Sequence, residues 1–272
     1  MDFISEVFQY KFLSNAVLSC ILSGIACGLI GAYIVCRRLV FLAGGVTHSS
    51  FGGIGIAYYL GYNPILGAMI FAVLSGVCME TITSKLKIRD DSAVGIIWSV
   101  GMAIGIIFVT MTPGYAPNLM SFLFGNILMV TRPDLISMTV LDAVIIISAI
   151  LLYRPIINIA YDRDYAVTQN APVNFIGYLM MVLIAVTIVL SIRVVGIVLL
   201  ISLLTMPAVI ANMITKSFKK IVLYSVLVSI VGTLSGLYLS YVTDFPSGAS
   251  TIIVLTLVLI ITKTTIFLIK KR

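Results

Sequence analysis

The sequence predicts an all-α polytopic membrane protein with about nine transmembrane helices, and three observations predict it. Of 272 residues, 61% are hydrophobic and only 10% are charged, against roughly 25% charged in an ordinary soluble domain. A water-soluble globule of this size could not hide that apolar surface. Runs of about 20 mostly apolar residues, the length a helix needs to cross a bilayer, recur along the whole chain. These runs are apolar at nearly every position, as in Ile252–Ile261, whereas the strands of a membrane barrel alternate in polarity over segments of about 10 residues. Disordered and collagen-like chains lack such apolar material and are excluded.

Nine spans follow in order. Ala16–Cys36 ends at Arg37 and Arg38, Leu39–Leu60 ends at Gly61, and Pro64–Thr83 begins on a proline suited to a first helical turn. Ala93–Met111 follows an acidic pair, Leu135–Tyr153 follows Pro133, and Val173–Ile192 follows Pro172. Val194–Asn212 abuts the preceding span at Arg193 without a loop, while Ile221–Tyr241 and Ser250–Ile269 complete the set.

Orientation follows from the positive residues, which accumulate in cytoplasmic loops. Alternating the connections between two sides collects Arg37, Arg38, Lys85, Lys87, Arg89, Arg154, Arg163, Lys216, Lys219, Lys220, Lys270, Lys271 and Arg272 on one of them. The other holds Lys11, Arg132 and Arg193. This places the N-terminus outside and the C-terminus in the cytoplasm, and it requires the break at Arg193, because fusing the two spans would scatter the charges. The net charge of +7 is then a property of short loops facing anionic lipid, with no basic, aromatic-interleaved stripe for nucleic acid. The first fifteen residues carry Asp2 and Glu6 and lack a small-residue cleavage site, so the first span is expected to be retained as an anchor. Cys20, Cys27, Cys36 and Cys78 all fall within spans without a CxxC pair and are expected to be small core hydrophobes.

Two connections carry their own pattern. Residues 154–172 hold Asp162, Arg163 and Asp164 followed by Tyr165, Ala166 and Val167, which suits a short polar helix at the positive face: a solvated loop or a docking element for a cytoplasmic partner. On the opposite side, Leu119–Val130 is apolar but too short to cross, which fits a re-entrant or interfacial helix.

No nucleotide site is encoded, since neither a Walker A pattern nor a strand-led GxGxxG occurs. Hydrolase chemistry also lacks support: His48 is the single histidine, and no GxSxG or HExxH is present. The chain is therefore expected not to be an enzyme by itself and to bind no cofactor; ATP, if it supplies the energy, binds another chain. Ionisable residues inside spans are costly and mark pathways. His48 lies nine residues into the second span, about 13–14 Å from its positive-side end at a 1.5 Å rise. Asp142 lies seven residues into the fifth from the other side. Imidazole and carboxylate together suit divalent transition metals. Glu80, near the end of the third span, is expected to reach the interface.

GxxxG pairs at Gly24/Gly28, Gly101/Gly105 and Gly232/Gly236 permit close helix approach. Gly44, Gly45, Gly52, Gly53 and Gly55 surround His48, which leaves room for a narrow path or a tight crossing.

Several of these stretches, in this order and spacing, resemble the transmembrane permease subunits of ATP-binding-cassette importers for zinc, manganese and related divalent metals. They are "CRRLVFLAGGVTHSSFGGIGIA", "SAVGIIWSVGMAIGI", "LFGNILMVTRPDL", "YDRDYAV", "VGIVLLISLLTMPAVIA" and "GLYLSYVTDFPSGAS". The resemblance covers nearly the whole chain as one permease domain. It implies a pathway shared by two permease copies in a prokaryotic cytoplasmic membrane, a cytoplasmic ATPase dimer carrying ATP and Mg, and an extracellular metal-binding protein. It also implies that Asp162, Arg163, Asp164, Tyr165, Ala166 and Val167 form the helix that transmits the ATPase stroke. The family's zinc and manganese members usually place an aspartate four residues before the histidine, on the same helix face. That position is Gly44 here. Either another residue supplies the carboxylate, Asp142 being a candidate, or metal is bound more weakly, or the cargo is a chelate such as a siderophore or haem. A third class, an ion-coupled secondary carrier, would show paired intramembrane acids and inverted halves, and no convincing internal repeat is present. The segment ends in Asn170 where relatives tend to have glycine, a small change because Asn tolerates left-handed backbone.

Overall fold

Each of the nine spans expected from the sequence is a helix in the computed structural model, which describes residues 3–113 and 127–271. In chain order the helices are α1 (Phe3–Gln9), α2 (Lys11–Cys36), α3 (Val40–Tyr59), α4 (Pro64–Lys85), α5 (Asp90–Met111), α6 (Arg132–Leu151), α7 (Tyr153–Tyr161), α8 (Arg163–Thr168), α9 (Val173–Val195), α10 (Ile197–Ile214), α11 (Phe218–Thr243) and α12 (Ser247–Lys271). Among the described residues nine of them, α2 to α6 and α9 to α12, are long and apolar enough to cross a membrane. No strand occurs among them.

Local chemistry sets the boundaries. Asn63 caps α4 by accepting a 2.9 Å hydrogen bond from the Ile65 amide, with Pro64 at the first helical position. The break between the sixth and seventh spans is real but sits three residues beyond Arg193. Helix α9 runs through Arg193 to Val195, and Gly196 breaks the chain with φ 80° and ψ 162°. Only glycine takes that backbone without strain, so the break is fixed by Gly196 rather than by the charge. The 154–172 connection folds into two helices, α7 and α8, where one was expected. Of the expected re-entrant piece, residues 119–126 lie outside the described residues, and Ile127–Met129 form a single 3₁₀ turn.

The chain divides into two compact units, Met1–Val35, Met120–Ser148 and Leu190–Arg272 in the first, Cys36–Leu119 and Ala149–Val189 in the second. Within the first, α10, α11 and α12 pack on one another. A Cβ at Gly28 would come within 2.6 Å of the Val226 Cα, and one at Gly24 within 2.8 Å of Ile230, so α2 and α11 meet with backbones nearly touching. Gly236 plays the same part against the Thr251 backbone of α12, and Gly232 makes room for the Leu255 side chain. Within the second unit α3 packs on α4 and α5. A Cβ at Gly101 would meet the Ser49 Cα at 2.5 Å, and Gly53 faces the backbone of Gly67. Gly52, Gly53 and Gly55, which follow His48, thus serve tight crossings. Of the cysteines, Cys20 and Cys27 are buried, whereas Cys36 is half-buried and Cys78 exposed, so only two of the four are core hydrophobes.

Contacts inside each unit show which helix ends lie together. In the second, the Cys36 thiol approaches the Tyr161 hydroxyl at 4.0 Å and Arg163 pairs with Glu80, which groups the ends richest in positive charge. In the first, Arg193 pairs with Asp134, the Asn15 amide donates to the Val130 carbonyl at 3.2 Å, and Tyr241 donates to Glu6 at 2.7 Å. Those residues all belong to the charge-poor side.

Candidate functional site

His48 stands two turns into α3, half-buried. Its imidazole lies flat on the indole of Trp98 from α5, with ring centroids 4.4 Å apart and planes 2° from parallel. Such stacking fixes the ring plane and leaves the two ring nitrogens to point outward at its edge. Ser49, beside it, is fully buried and donates to the Val46 carbonyl at 3.0 Å and lies 3.1 Å from the Ser75 hydroxyl on α4. Gly44 is buried one turn before His48 on the same face and supplies no donor atom. Among the described residues no three His, Cys, Asp or Glu side chains gather as a ready metal-ligand set.

Asp142 belongs to the first unit and His48 to the second. Asp142 is 5% exposed on α6, and neither carboxylate oxygen has a hydrogen-bond partner among the described residues. A carboxyl group carried into a helix bundle without a partner costs free energy, which makes it a feature that packing alone does not explain.

The polar segment is built with care for its ends. Asp162 sits in extended backbone (φ −151°, ψ 104°) and its Oδ1 accepts a 2.9 Å hydrogen bond from the Tyr165 amide, capping α8. At the other end the Asn170 amide donates to the Val167 carbonyl at 3.0 Å and the Ala171 amide to the Ala166 carbonyl at 3.1 Å. That pair is a Schellman closure, and it needs the left-handed backbone that Asn170 adopts at φ 54°. Ala166 is fully buried while Tyr165 and Val167 are more than half exposed, so α8 is seated on one residue and presents two apolar side chains outward. Asp164 is exposed in its first turn, where it complements the helix dipole.

Arg163 points the other way. Its Nη2 lies 2.9 Å from Glu80 Oε1, and Glu80 is 1% exposed. Glu80 therefore does not reach the interface: it is buried in the second unit, and its ion pair spans from α8 to α4. A Cβ at Gly177 of α9 would strike its carboxylate, so the slot that admits Glu80 exists because residue 177 has no side chain. The sequence held a signal for this pairing, since the charge rule assigns both Glu80 and Arg163 to one side, but spacing alone does not say which loop residue meets which span.

The model of the ABC 3 transport family matches residues 9–266. A membrane protein of Synechocystis sp. is 39% identical over 249 residues, covering 92% of this chain and 89% of the relative. The manganese transport system membrane protein MntC of Halalkalibacterium halodurans is 31% identical over 252 residues, covering 93% of this chain and 86% of its own length. Among solved structures, a chain of PsaBC from Streptococcus pneumoniae in complex with Fab superposes with a TM-score of 0.83 at 27% identity, covering 96% of this chain and 94% of that one. The glycine crossings and the capped helix after the fifth span thus sit in a chain aligned to that family over nearly its full length. The protein belongs to the ABC 3 transport family, as a membrane permease subunit of an ABC transporter.

Proposed function

We propose that this chain forms the membrane pathway for import of a divalent metal ion, of the manganese or zinc type, with energy from a separate cytoplasmic ATPase dimer that holds ATP and Mg. The observation that carries the reading is α8: a six-residue helix capped at both ends, anchored through a buried acid and presenting Tyr165 and Val167. A helix this short does not persist without tertiary support, and its outward apolar pair suits docking to another chain. The manganese transport relative gives the cargo class. His48, held edge-outward by Trp98, offers an imidazole nitrogen, a good ligand for such ions. In this reading two copies share the pathway, each contributing His48, and an extracellular metal-binding protein delivers the ion. The charge-rich ends face the cytoplasm of a prokaryotic cell, so the N-terminus is outside and the C-terminus inside. Asp142, a carboxyl group buried within the span α6, is the candidate second site along the route.

Gly44 favours a second reading, in which the cargo is a metal chelate, because the histidine face lacks a carboxylate one turn away. Accumulation of zinc, manganese and iron in cells expressing His48→Ala separates the two. Loss for a bare ion supports direct coordination, whereas unchanged uptake of all three removes His48 from the mechanism.

A further inference from the structure

Glu80 and Arg163 form an ion pair whose acidic member is almost fully buried. Transferring a carboxylate out of water is costly, and replacing such a pair by apolar residues is often neutral or stabilising. Its position is informative. Arg163 is the first residue of α8, directly after the Asp162 cap, and its side chain is 26% exposed; that of Glu80 is 1% exposed. No hydrogen bond of ordinary geometry reaches either Glu80 oxygen among the described residues, so the guanidinium at 2.9 Å is the compensation for that burial.

What Glu80 is attached to matters as much. At its level α4 and α9 are locked: Thr81 and Tyr178 share a 3.0 Å hydrogen bond, a Cβ at Gly76 would lie 3.1 Å from the Met181 carbonyl oxygen, and Gly177 closes over the Glu80 carboxylate. Five residues earlier on α4, about 7.5 Å at 1.5 Å per residue, Ser75 meets Ser49 of α3 at 3.1 Å. Ser49 adjoins His48, which is stacked on Trp98. All of these residues belong to the second unit, so one continuous set of contacts runs from α8 through Glu80 and α4 to the histidine.

We propose that Glu80 is the positioning residue through which displacement of α8 moves α4, and with it the α3 segment bearing His48. The inference rests on the reading of α8 as the ATPase-driven helix. Glu80 touches neither cargo nor nucleotide: it converts a push on a surface helix into movement of a span, because its buried carboxylate would have no other partner among the described residues if the guanidinium withdrew.

The test uses the complete transporter, purified through a tag on this chain, reconstituted in vesicles and supplied with manganese. Manganese taken up and ATP hydrolysed are measured together for wild type, E80Q, R163Q, R163K and the E80Q/R163Q double variant. The expected result is a ratio of metal moved to ATP hydrolysed that falls about tenfold in E80Q and in R163Q, within the range of site-to-site coupling. The double variant falls no further than either single one, because both remove the same link, and R163K retains most of the ratio. Wild-type ratios in E80Q or R163Q, or losses that multiply in the double variant, overturn the proposal. If E80Q blocks assembly, R163Q and R163K, altered at the accessible partner, decide it alone. Wild-type vesicles that take up neither manganese nor zinc with ATP and the metal-binding protein supplied defeat the functional reading itself, whereas coupled wild type beside equally coupled E80Q defeats only the role of Glu80.

Discussion

Arg193, in the last turn of α9, places its guanidinium on the carboxylate of Asp134 in the first turn of α6. Two spans far apart in sequence are thereby shown to end at the same level. Since the charge pattern assigns both residues to the charge-poor side, single cysteines at 134 and 193, in a variant freed of native cysteines, are expected to react with an impermeant maleimide in intact cells. Cysteines at 38 and 162 are expected to react only after permeabilisation. Labelling of all four from one side would contradict the assigned orientation.

Gly196 holds φ 80° and ψ 162° between α9 and α10. A side chain in that region costs of order 1–3 kcal/mol, so Gly196→Ala is expected to lower the melting temperature of the detergent-solubilised protein. Arg193→Gln, by contrast, removes a half-exposed charge and leaves the helix break in place. A melting curve for Gly196→Ala that overlays wild type would show that the break is not held by the backbone.

Asp162 caps a helix only six residues long. Loss of an N-cap costs about 1 kcal/mol, a large share for an element that cannot sustain itself. Asp162→Ala is expected to depress manganese accumulation in cells while Asp162→Asn, which keeps the accepting oxygen, stays near wild type. Equal accumulation in both would mean that the cap is dispensable.

Trp98 is the protein's single tryptophan, and its indole faces His48 at 4.4 Å. Binding of a metal ion at the imidazole changes the charge in contact with the fluorophore. Titration of the purified complex with manganese is therefore expected to shift tryptophan emission from this chain, and His48→Ala is expected to abolish that shift. A partner subunit containing tryptophan is controlled for with Trp98→Phe, which should silence the same signal.

The spans were legible because a bilayer imposes one rule on every crossing segment: about 20 apolar residues with the backbone satisfied internally. That rule is local, and composition obeys it residue by residue. The close crossings were legible for the same kind of reason. Each GxxxG pair puts two bare backbone sites on one face of a helix, and Gly24/Gly28, Gly101/Gly105 and Gly232/Gly236 all lie against a neighbouring helix. Asn170 likewise adopts the left-handed backbone that its replacement of glycine implied. Less was legible at the chain breaks: Arg193 drew attention by its charge, but Gly196 makes the turn, because charge marks a membrane boundary while backbone freedom decides where a helix can stop.

The sequence by itself determined the helical membrane class and the number of spans, since each depends on the thickness of a bilayer, whereas the cap that Asp162 gives α8 came only with the structure. Tertiary structure alone decided that Glu80 is buried against Arg163 beneath Gly177, and that His48 lies flat on Trp98. Those pairings join residues 83 and 50 positions apart, and no local periodicity encodes which faces of separate helices come together.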